Sequence, residues 1–76
     1  MRSKPIENLR ALIEDIIYNG KFPQKVKPFM VDVLIDIYNH LLRGEKPNFI
    51  FQDLIPVLHK CGIKTNENGI GWEAYL

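Results

Sequence analysis

The densest apolar stretch of the chain is FMVDVLIDIYNHLLR, residues 29–43. At about 100° per residue, Met30, Val31, Val33, Leu34, Ile35, Ile37, Tyr38, Leu41 and Leu42 sweep an arc of about 200° around a helix. Asp32, Asp36, Asn39, His40 and Arg43 fill the narrower arc that remains. A helix wet on so thin a strip is predicted to be the centre of the fold, with the other elements packed around it.

Two further periodicities flank it. Ile6, Leu9, Leu12, Ile13, Ile16 and Ile17 recur at three- and four-residue spacing. They predict a helix that opens behind Ser3 as cap with Pro5 in its first turn, and that stops at Asn19-Gly20, residues that accept a left-handed backbone. Residues 21–27, KFPQKVK, read as a connection fixed by Pro23 and anchored by Phe22 and Val26. The residue before a proline avoids the helical region, so the second helix is predicted to begin near Pro28 and to end at Gly44. Glu45-Lys46-Pro47-Asn48 is a turn, and residues 49–51, FIF, a short extended segment. Asp53 then caps a third helix ending at Gly62, an assignment that keeps Pro56 in the first turn; mid-helix a proline costs about 3 kcal/mol.

From Ile63 onward the period changes. Ile70, Trp72, Ala74 and Leu76 alternate, which predicts a strand over residues 70–75 paired, through the turn Asn66-Glu67-Asn68-Gly69, with a shorter strand over 63–65. Gly71 inside it marks a bulge or a close backbone approach. The expected architecture is therefore α+β: one domain over residues 1–76, three helices with the second central, and a C-terminal two-stranded β-hairpin. The element order echoes a winged helix, although one helix stands between FIF and the hairpin where that arrangement has two.

Composition narrows the function. A chain of 76 residues buries only about 60% of its unfolded surface, so a partner could supply missing stability. The single cysteine, Cys61, excludes an internal disulfide and points to a reducing, cytoplasmic setting. Asp32 and Asp36 interrupt the only candidate membrane span, and no membrane partner is expected. A formal net charge of +1 gives no global field for nucleic acid, acidic substrates or an anionic membrane, so any such partner needs a local patch. Lys21, Lys25 and Lys27 are the candidate patch, with scattered solvated lysines as the simpler account.

No constellation points to catalysis. Asp36 and His40 have the spacing of a shared divalent metal, yet no third ligand is identifiable. His59 and Cys61, two apart, point in different directions on a helix, and a free cysteine before a terminating glycine reads as a small buried apolar residue. Gly69-Ile70-Gly71 lacks the following helix that would make it a phosphate loop. Neither metal nor cofactor nor enzymatic activity is expected. The reading is a non-enzymatic interaction module, self-associating or docking to a larger protein, with a small nucleic-acid-binding domain as the alternative. On the last strand Trp72 is expected to hold to the core, while Tyr75, on the outer face with Glu73, contacts the partner beside an open strand edge.

Overall fold

In the computed structural model, residues 4–47 and 51–64 are described. Helix α1 spans Lys4–Asn19 and buries Ile6, Leu9, Ile13 and Ile16 along one face. It stops where Gly20 adopts a φ of 65° and its N–H donates back to the Ile16 carbonyl, a turn that glycine makes without steric cost. In the connection that follows, Val26 is buried and donates its N–H to the Pro23 carbonyl. Lys25, inside that turn, has a φ of 72°, the left-handed region where a Cβ costs roughly 1–2 kcal/mol.

A 3-10 turn at Pro28–Met30 leads into α2, Val31–Leu42. A second one at Gln52–Leu54 leads into α3, Ile55–Cys61, with Pro56 in the first turn as the sequence requires. Asp53, however, is not the cap. It lies within the 3-10 turn, and the N-cap position is Leu54 with no side-chain hydrogen bond. The tighter turn satisfies the backbone there by itself, the Leu54 N–H donating to the Phe51 carbonyl. At the other end of α3, Ile63 N–H donates to the Leu58 carbonyl at 2.9 Å. That bond folds the fully buried Ile63 back onto the helix.

Two larger expectations are corrected as well. The first is the fold class: the described residues form three helices and no strand, so the α+β assignment and its winged-helix order give way to a helical domain. Phe51 does keep an extended backbone (φ −82°, ψ 141°), but it is the lead-in to a 3-10 turn and belongs to no strand among the described residues. Ile63 likewise spends its N–H on the end of α3 and not on a ladder. The hairpin turn and the strand expected over 70–75 lie outside the described residues.

The second is which helix is central. The backbone of α1 approaches both α2 and α3, whereas α2 and α3 do not approach one another. Asn8 of α1 donates from Nδ2 to the Cys61 carbonyl at 2.9 Å. Gly62 lies so close to Pro5 that a Cβ there would stand 3.3 Å from Pro5 Cγ. These contacts fix the end of α3 beside the start of α1. Helix α3 is short, seven residues or about 10 Å, and its backbone lies along α1. The wide apolar arc of α2 is fully covered only along Met30, Leu34, Ile37 and Leu41; Val31, Ile35 and Tyr38 are half-buried and Leu42 is exposed. Side chains from all three helices still share one core, in which Leu9, Leu34, Ile37, Leu54 and Leu58 are fully buried. Among the described residues no helix is long and apolar enough to cross a membrane.

Candidate functional site

Eight residues, 20–27, join α1 to the turn that opens α2, so the last turn of α1 and the start of α2 stand at one end of the molecule. Five large hydrophobic side chains are exposed among the described residues, and four of them are here: Ile17 at 52%, Tyr18 at 78%, Phe22 at 45% and Phe29 at 64%. Three of these exposures have a local cause. Ile17 follows the buried Ile16 and is rotated about 100° from the packed face. Phe22 projects because Val26 alone anchors the connection, contrary to the shared anchoring expected of the two. Phe29 meets the Phe51 ring edge-on, centroids 5.6 Å apart at 89°, and leaves its remaining surface to solvent.

Lys21, Lys25 and Lys27 are exposed in the same connection. Residues 16–31 contain these three lysines and no acidic residue, while the rest of the chain carries seven basic against nine acidic residues. The near-neutral total therefore hides a stretch of chain whose charges are all basic, bracketed by Asp15 and Asp32. Elsewhere the arginines engage carboxylates, Arg10 with Glu14 at 3.4 Å and Arg43 with Glu45 at 3.0 Å. None of the three lysines forms an ion pair among the described residues.

A second surface adjoins this end. Between α1 and α3, and closed at one end by the connection, lies a groove of about 580 Å³ whose walls include Ala11, Leu12, Pro56 and Val57. Exposed Asp15, Lys25, Asp53 and Lys60 also line it and mix both signs of charge. Cys61 closes its far end. Burial pushes the Cys61 thiol above its ordinary pKa, which keeps it protonated and a weak nucleophile.

The other sequence candidates do not converge. His40 Nδ1–H donates to the Asp36 carbonyl oxygen at 2.8 Å, with Asp36 Oδ2 3.5 Å away, and the pair sits on α2 away from the groove. No group of three or more His, Cys, Asp or Glu able to hold a metal ion occurs among the described residues. Exposed His59 and buried Cys61 face different surroundings. Tyr75, Trp72, Glu73 and the Gly69-Ile70-Gly71 turn lie outside the described residues. Sequence reasoning found the three lysines but not the apolar side chains beside them, and it missed the groove altogether. The available signal was the absence of any acid between Asp15 and Asp32 in a stretch rich in phenylalanine and isoleucine. Comparison with known proteins finds no matching family model, no matching curated protein and no matching solved structure.

Proposed function

We propose that the domain is a non-enzymatic interaction module that holds a short segment of a partner protein in the groove between α1 and α3. The observation that carries this is the groove itself: about 580 Å³ is within the range of formed binding sites, roughly 300–1,000 Å³, and the mix of apolar walls with a few charged groups is their usual composition. The apolar walls accommodate one or two anchor side chains. Two carboxylates and two ammonium groups around them give orientation by charge complementarity. The chemistry at hand favours binding over turnover, because the one thiol is buried and protonated and the imidazole–carboxylate pair belongs to a different helix.

The test fills the groove without touching the core. Ala11 is exposed, so Ala11→Trp adds bulk at the groove wall while leaving the packed face of α1 intact. Peptides selected from a random library against the wild-type chain are expected to lose at least tenfold in affinity for the variant. Peptides that bind both proteins equally, or a library that yields no binder, would overturn the reading.

A further inference from the structure

We propose that the end of the molecule carrying the α1–α2 connection docks on an anionic lipid surface, with Tyr18, Phe22 and Phe29 entering the headgroup layer and Lys21, Lys25 and Lys27 meeting the lipid phosphates. This inference shares only Lys25 with the groove, and the double variant Tyr18→Ser, Phe22→Ser, which touches no groove residue, separates the two readings.

Four observations select the lipid surface. Ile17, Tyr18, Phe22 and Phe29 are the most exposed large hydrophobics among the described residues, and none of them lines the groove. They stand on the last turn of α1, the connection and the turn that opens α2, outside the groove. Projecting apolar side chains suit a fluid layer that closes around them, whereas a protein anchor or a stacked base requires a shaped counterpart. Aromatic side chains beside lysines are also the composition that settles at the membrane–water interface. The cations are all lysines, and an ammonium is a point charge without the planar fork that reads individual phosphates or bases. That suits a diffuse negative surface better than a specific nucleic-acid site.

The magnitudes agree with reversible docking. Each lysine near an anionic leaflet contributes a factor of roughly five in binding, so three give about 100-fold over a neutral surface. With a few partly inserted rings, total affinity should be comparable to that of a single myristoyl chain, about 10⁴ M⁻¹, which is marginal without a second attachment. A protein held in the groove could supply that attachment. The sequence expectation of no membrane partner rested on the lack of a spanning segment and on a small net charge; the first is unaffected by surface docking, and the second is met by three exposed lysines in a stretch without acidic residues.

The experiment is sedimentation of the full chain with vesicles of phosphatidylcholine alone or with about 30% phosphatidylserine, at low and physiological salt. Binding is expected on the anionic vesicles, weakening with salt, and little on the neutral ones. The triple variant Lys21→Gln, Lys25→Gln, Lys27→Gln should bind about 100-fold more weakly. The double variant Tyr18→Ser, Phe22→Ser should bind about tenfold more weakly with an unchanged salt dependence, because its lysines remain. Both should melt as the wild type does, since all five side chains are exposed. Equal binding to the two vesicle types, no binding at millimolar lipid, or variants that bind like wild type would overturn the proposal. Tighter binding to a single-stranded oligonucleotide, lost in the same variants, would assign the surface to nucleic acid instead.

Discussion

Ile16 and Ile17 are the same residue one step apart, yet one is 5% exposed and the other 52%. They mark the boundary between two regions. Toward α3, the apolar side chains of α1 are covered by a second helix, a polar clip and a close glycine contact. Toward the connection, equally apolar side chains are left uncovered while the backbone beneath them is anchored by Val26 alone. The difference teaches that apolar content reports how strongly a segment prefers to leave water, and that helix geometry and the reach of the neighbours decide which side chains do. What the fold leaves uncovered is available for something else.

The comparison is broken most directly in the covered region. Leu9→Ala and Ile37→Ala remove fully buried side chains and should each cost about 2–5 kcal/mol in urea denaturation, close to the whole stability of a small domain. If Leu9→Ala costs less than 1 kcal/mol, α1 is not the helix that both others lean on. Next comes the glycine contact. Gly62→Ala, at a φ of 98° and with Pro5 Cγ 3.3 Å from the new Cβ, should cost about 1–2 kcal/mol from the backbone alone. Gly44→Ala, at φ 73° with nothing within 4 Å, should cost less, and equal losses would mean that the Pro5 contact carries no weight. In the uncovered region Ile17→Ala should change stability by no more than about 0.5 kcal/mol, while Ile16→Ala behaves as a core truncation. Matching losses at the two sites would erase the boundary.

The smallest effect is titration of Cys61. Its folded pKa is raised by burial, so the folded chain holds that proton more tightly than the unfolded one. The associated stability is fully present below the unfolded value of roughly 8.5 and is lost as pH rises through the folded value. Denaturation series between neutral and alkaline pH should therefore show a steeper fall for the wild type than for Cys61→Ala, and parallel curves would place the thiol in solvent.

Local rules carried the element boundaries. Gly20, Gly44 and Gly62 end their helices with positive φ because a helix terminus there needs a left-handed residue, and Pro56 fell in a first turn because its ring would break a helix interior. Those constraints act within a few residues. The choice of central helix and the groove are set between distant segments, by Asn8 reaching Cys61 and by Gly62 meeting Pro5, and spacing along the chain does not encode such meetings. The strand expected over 63–65 is absent at its described residues, 63 and 64, because the Ile63 N–H closes the end of α3 on the Leu58 carbonyl. At the candidate site the lysines were legible as charge, whereas the exposure of Phe22 and Ile17 depended on packing.

Lys25 belongs to both surfaces, lining the groove and standing among the exposed lysines, and it holds a left-handed backbone that glycine would adopt at no steric cost. Stability and binding therefore make opposite demands on one residue. Lys25→Gly would relax the connection while it stripped a charge from two binding faces at once, so the gain in folding free energy and the loss in recognition could not be separated there.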